Sequence, residues 1–409
     1  MKMQGPSKRI INTERAYIED VLDKYTGPDS GIDQSKLHVL ALGSSYWGPP
    51  KEALDAIRDG VGEQSSQRYG SIMGVEELQR EWLKKLVRSG YPEGDLARMD
   101  IGITVGAQQA FMNMAMVLCD QGDAALLLEP YYFSHKLALQ MAGANIHFAP
   151  NGAVPGKPDW DKLQELVTRE KPKMVVCTSP ANPSGAVFNE EELEKLATVC
   201  GSVGAFLVLD ETYYEFIYNG KRHHFVSTYE NVVHIFSLSK SFGIPGWRVG
   251  AVVYPRDLTE HFRKIQDTNP THACILSQKL ATKCLQVDQS TGFVAHKRAE
   301  MEELREALFV GCELESWGAL PPDGAYYFLV PVPQNVSEDE AVDILARKYN
   351  ILLLQGSVFG APGHLRLSYG GLRAPSANSE ALAKVEDIKQ SIRGGFLHLL
   401  DLSREREKS

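Results

Sequence analysis

Short apolar runs alternate with amphipathic stretches along the first two thirds of the chain. The run at 101–105 predicts a strand. It feeds 107–119, where Ala110, Phe111, Met114, Ala115 and Leu118 fall on one helical face. Further runs at 124–128, 173–178, 205–209, 232–237 and 249–254 predict strands. Residues 190–203, with acids in the first turn where the helix dipole favours them, predict a helix. Short strands with no polar face, separated by helices, belong to a mainly parallel sheet covered on both sides. After about residue 290 the texture changes. Residues 296–312 read as a charged helix, 326–330 and 364–368 alternate like antiparallel strands, and 338–348 and 379–392 read as helices. The predicted fold class is α/β: a large domain on a mainly parallel, doubly wound sheet and a smaller α+β domain formed by both termini. The expected division gives 61–292 to the large domain and joins 1–60 with 293–409 in the small one.

Composition narrows the function classes. A chain of 409 residues suits two domains, and 43% hydrophobic with 23% charged residues excludes global disorder. The 43 Lys+Arg against 52 Asp+Glu give a net charge of -9. With no dense basic block, nucleic acid is not an expected partner. No stretch approaches the ~20 apolar residues of a membrane span. The six cysteines form no C-x-x-C pair, which argues against zinc or a disulfide framework and for a reducing, cytoplasmic setting. The first residues, Met1 to Ser7, carry no apolar core of a secretory signal, and the acids Glu14, Glu19 and Asp20 do not suit a transit peptide. No metal is expected.

Ligands of such sheets collect at the carboxyl ends of the strands. Gly106, Tyr132, Asn182, Asp210 and Lys240 all fall there. Lys240 follows a strand in a small-residue segment, with Ser237 before it and Arg248 after it. A hydroxyl and a guanidinium flanking a buried amine suit a phosphate beside a Schiff-base nucleophile. Burial and nearby cations also lower a lysine pKa. Asp210, in Leu209-Asp210-Glu211-Thr212-Tyr213, alone reads as a helix cap. Beneath a ring nitrogen it would keep a pyridinium protonated. Asn182 lies in a Pro/Gly-rich turn whose prolines aim its amide, which could donate to a phenolic oxygen. Gly106-Ala107-Gln108 joins a strand to a helix N-terminus, a weak phosphate signal by itself.

Together these segments resemble the fold-type I pyridoxal-phosphate (PLP) enzymes, specifically the class I/II aminotransferases, from about Gly43 to Arg366. The resemblance implies a cofactor, pyridoxal 5'-phosphate, held covalently by Lys240, which also shuttles a proton. It implies that Asp210 pairs with the ring nitrogen and that Tyr213 and Asn182 bond the phenolic oxygen. Ser237, Arg248, Gly106, Ala107 and Gln108 would hold the phosphate. Tyr132 would stack on the ring, and Thr212 would lie against its other face. Tyr69, in Arg68-Tyr69-Gly70-Ser71-Ile72-Met73-Gly74, would cross to the partner's phosphate, which implies a homodimer with shared sites. Arg366 would bind the substrate carboxylate as a fork, with Asn182 and Gly43 nearby.

Nothing marks a second cation for a dicarboxylic substrate. The segments at 43–50, 129–133, 264–267 and 368–371 look like plant-type aromatic aminotransferases that also use methionine. Trp47 and Tyr46 could then line an apolar side-chain pocket, or could equally pack at the domain interface. The implied reaction is ping-pong transamination between an L-amino acid and a 2-oxo acid. The same residues also serve PLP-dependent lyases, cyclases, oxidases and hydroxylases.

Overall fold

The computed structural model describes residues 5–154 and 156–408. Met1 to Gln4, part of the leader reading above, lie outside the described residues. The strands, in chain order, are β1 (His38–Val39), β2 (Met99–Thr104), β3 (Ala124–Leu128), β4 (Asn145–Ala149), β5 (Met174–Thr178), β6 (Phe206–Asp210), β7 (Val232–Ser237), β8 (Gly250–Pro255), β9 (Tyr327–Pro331), β10 (Ile351–Leu352), β11 (Leu354–Gln355) and β12 (His364–Ser368).

Seven strands form the central sheet in the order β2-β8-β7-β6-β5-β3-β4. Strands β7, β6, β5, β3 and β4 run parallel, and β8 is antiparallel to both of its neighbours. The parallel strands β3, β5, β6 and β7 are almost wholly buried, as two covered faces require. On one face the helix Gly106–Leu118 packs Ala110, Phe111 and Met114 against Val176, Val208 and Ile235. On the other, Glu190–Gly201 packs Leu193, Leu196 and Ala197 against Val175, Leu207 and Leu209. Its start is a capping box between Asn189 and Glu192. The helices Lys51–Gly60, Glu76–Arg88 and Ile275–Thr291 cover the β2 end, with Ile57, Trp82 and Leu280 in one core.

A second core joins residues from both ends of the chain. Val21, Tyr25 and Leu40 meet Leu345, Leu365, Ile388 and Phe396 there. Its backbone frame is the antiparallel sheet β11-β12-β9 and the parallel pairing of β1 with β10. The long helix Phe293–Gly311 bridges the two cores, with Val294 in the sheet core and Met301, Leu304 and Leu308 in the second.

Two elements differ from expectation. Strand β4 is amphipathic and half-exposed at the sheet edge, so it shows no apolar run. The last helix, Ser379–Glu407, continues well past 392, still burying Phe396, Leu399 and Ser403. Among the described residues no helix is long and apolar enough to cross a membrane, and no cluster of three His, Cys, Asp or Glu side chains could hold a metal. The six cysteines are unpaired.

Candidate active site

One cavity opens at the carboxyl ends of β5, β6 and β7, and both cores contribute to its walls. Lys240 lies just beyond β7, whose residues are all buried. The chain then turns through Pro245–Trp247, and Arg248 adopts a left-handed conformation with φ 55°. That turn brings Ser237, Ser239, Lys240 and Arg248 to the same cavity. The Lys240 amine donates to the Gly43 carbonyl. Burial, with help from Arg366 and Arg248, pulls its pKa down to about 8 against the opposing pull of Asp210.

Asp210 ends β6 and is buried. Burial alone would raise its pKa. His135 and the Thr212 backbone N–H outweigh this and hold the carboxyl below its usual range. His135 Nε2 lies 3.0 Å from one oxygen, and the Thr212 N–H donates to the other at 3.0 Å. His135 is itself stacked on Phe111, with centroids 4.2 Å apart. Tyr132 meets His135 edge-on and lines the cavity with Thr212.

The helix beginning at Gly106 has no side-chain cap. A Cβ at Gly106, where φ is 77°, would lie 2.8 Å from the Arg248 guanidinium. A Cβ at Gly250 would lie 2.6 Å from the Ala107 backbone nitrogen. Two glycines thus let uncapped helix N–H groups, Arg248 and the Ser237 hydroxyl converge, which fits a phosphate. Gln108 borders the same space and donates to Ser134 at 3.4 Å.

Arg366 stands on β12, opposite Leu329 of β9, and is 2% exposed. Its guanidinium lies 4.7 Å from both the Tyr327 and Phe359 ring centroids. It donates to Asn182 Oδ1 at 2.9 Å and to the Ala41 carbonyl, while Nε has no partner. Among the described residues no carboxylate pairs with it. A buried cation so placed is prepared for an anionic ligand. The bond to Arg366 uses the oxygen of the Asn182 amide and leaves its NH2 for another acceptor. Tyr213 shares a hydrogen bond with Tyr327, and burial raises its pKa far above the usual phenol range. Gly43 is required by shape, since a Cβ there would lie 2.3 Å from the Tyr327 hydroxyl.

Lys240, Asp210, Tyr213, Ala107, Gln108, Tyr132, Asn182, Ser237, Arg248, Arg366 and Gly43 line this cavity together, while Gly106 lies just behind it against the Arg248 guanidinium. Tyr69 does not: it is 90% exposed, with its ring edge against His272. Trp47 is also outside. It is buried in the second core against Phe216 and donates to the Ser241 carbonyl at 3.1 Å. Sequence reasoning missed His135, Ser239 and Tyr327. A histidine three residues after Tyr132 was the available signal for the first, since a helix returns it to the same face.

Residues 38–384 match the family described as Aminotransferase class I and II. The chain is 32% identical over 402 residues to the aromatic aminotransferase ISS1 of Arabidopsis thaliana, covering 96% of this chain and 98% of that protein. Among solved structures it resembles Thermus thermophilus aspartate aminotransferase with maleate, at 26% identity and TM-score 0.82, over 95% of this chain and 100% of the other. A tetra mutant of that enzyme complexed with tryptophan matches at 25% identity and TM-score 0.81, with the same coverage.

Proposed function

The chain belongs to the class I and II aminotransferases, and we propose that it moves an amino group between an L-amino acid of aromatic or methionine type and a 2-oxo acid by ping-pong kinetics. The observation that carries this reading is a buried amine, Lys240, sharing one cavity with an ionised Asp210 and a carboxylate-free Arg366.

The residues suit pyridoxal 5'-phosphate. The glycine-lined cradle of Gly106, Ala107, Gln108, Ser237 and Arg248 would take its phosphate, and Tyr132 and Thr212 would flank its ring. Asn182 and Tyr213 would donate to its phenolic oxygen. When bound, the cofactor supplies an electron sink for charge developing at the substrate α-carbon. Asp210, kept ionised by His135 and the Thr212 N–H, would hold a proton on the ring nitrogen. Arg366 would grip the substrate carboxylate and fix the α-carbon near Lys240. With its pKa near 8, Lys240 Nζ is neutral often enough to take the α-proton and return it.

For the substrate side chain, Ile18 and Phe133 offer apolar walls, and the lining cations are already assigned. This supports an aromatic or methionine side chain, in keeping with the plant relative. Trp47 is not needed for that pocket. The shared-site homodimer is supported by Tyr69, a large aromatic side chain left almost fully exposed by its own subunit. The free cysteines support a cytoplasmic setting. The same proposal divides the chain near residues 60 and 292, with the second core formed from both ends of the chain in its support.

The test is a panel of amino acids added to the holoenzyme without an acceptor, read by the cofactor's visible absorbance. Phe, Tyr, Trp and Met should shift the spectrum. A response confined to Asp and Glu would overturn the aromatic assignment.

A further inference from the structure

Ser241, the residue after Lys240, is held at both ends. Its hydroxyl donates to the Glu215 carboxylate, and its carbonyl accepts from the Trp47 indole at 3.1 Å. Glu215 is in turn bound by Lys85 at 2.5 Å, and Lys85 also binds Asp288 at 2.7 Å. Asp288 accepts from the Val294 N–H at 2.8 Å. The side chains of Lys85, Glu215 and Asp288 are 6%, 9% and 12% exposed, so this triad is largely screened from solvent. Lys85 comes from the helix Glu76–Arg88 and Asp288 from Ile275–Thr291, while Glu215 follows the cofactor-facing end of β6. Burial alone would discharge Lys85, but the two carboxylates keep it a cation. None of these three side chains reaches the catalytic cavity.

We propose that Glu215 is a positioning residue for Lys240, acting through the Ser241 hydroxyl. This rests on the aminotransferase reading above. A lysine that serves first as nucleophile and then as proton carrier must return to one place after each swing of its stem. Its four-carbon stem supplies the swing, and a fixed backbone supplies the return. Glu215 and Trp47 together fix the peptide that follows Lys240. Phe242 extends the anchor, since its ring lies 5.8 Å from the Lys85 amine. The packing is tight beyond it too: a Cβ at Gly243 would lie 1.9 Å from the Trp47 carbonyl oxygen. Lys85 and Asp288 then act one step further out, by holding the Glu215 carboxylate in place and charged. Small misplacements of a catalytic group are costly, so the anchor has a measurable role.

The decisive variant is Ser241→Ala, which leaves the ion triad intact and so does not threaten the fold. In the half-reaction with phenylalanine, kcat should fall on the order of 10- to 100-fold, with KM unchanged because Arg366 is untouched. Ser241→Thr keeps the hydroxyl and should recover most of the rate. A second readout avoids turnover: the rate at which apoprotein captures pyridoxal phosphate, followed by absorbance, should fall in parallel. Glu215→Ala combined with Ser241→Ala should be no slower than Glu215→Ala alone, as expected for one coupled unit. Wild-type kcat and capture rate in Ser241→Ala would overturn the proposal, as would a loss confined to KM. Failure of the aminotransferase reading itself would be seen separately, as wild-type protein that captures no cofactor.

Discussion

His135 Nε2 lies 3.0 Å from the Asp210 carboxylate, and both side chains are buried in the cavity wall. The imidazole is the largest influence opposing burial at Asp210. Replacing His135 with Leu should let burial dominate and raise the Asp210 pKa. In the proposed role Asp210 acts as a carboxylate, so activity should require a pH above its pKa. The acid limb of the half-reaction's kcat profile should therefore move to higher pH. A limb that stays in place would show that His135 does not set the charge of Asp210.

Lys240 should behave as an amine with a pKa near 8. Only its neutral form attacks a carbonyl, so capture of pyridoxal phosphate by apoprotein should rise with pH and level off above that value. Arg366 is one of the cations that lower this pKa, so Arg366→Gln should move the midpoint upward. Lys240→Ala should lose at least ~10³-fold in amino transfer. Near-normal transfer in that variant would end the Schiff-base reading.

Arg366→Lys should raise KM for the amino acid strongly, on the order of 100-fold, although the charge is kept. A lysine cannot reproduce the planar fork or its place between the Tyr327 and Phe359 rings. Steady-state kinetics on the arginine and lysine forms decides this, with equal KM values as the refuting result.

Gly106→Ala would push a methyl group against the Arg248 guanidinium and strain a positive φ. Cofactor affinity should drop while the fold persists. Dialysis against phosphate buffer, followed by absorbance, would show faster loss of cofactor than in wild type. Retention at the wild-type rate would count against the cradle.

Tyr69→Phe tests the shared site. If its hydroxyl crosses to the partner's phosphate, the variant should lose cofactor more readily even though Tyr69 lies outside its own cavity. An unchanged dissociation rate would leave Tyr69 as a surface residue.

Legibility followed physical range. Strands β3, β5, β6 and β7 and the helix Gly106–Leu118 were readable because burial on two faces leaves unbroken apolar runs. Strand β4 was not, because an edge strand with one wet face carries a mixed pattern. The residues at strand ends were found because a sheet of this kind makes its strand ends chemically special. His135 and Tyr327 escaped because each matters through a contact with a residue distant in the chain. Trp47 was read as pocket or interface, and its indole bond to Ser241 shows which side of the wall it occupies.

The pairing of β1 with β10 joins an early segment of the chain to one made late in synthesis. During synthesis, the sheet around Lys240 and Asp210 can assemble well before residues 351–368 emerge from the ribosome. Until they do, His38–Val39 has no partner and the cavity lacks Arg366. In the proposed reading, a nascent chain that stops before Arg366 would hold the residues suited to the cofactor phosphate and lack the guanidinium meant for the amino-acid carboxylate.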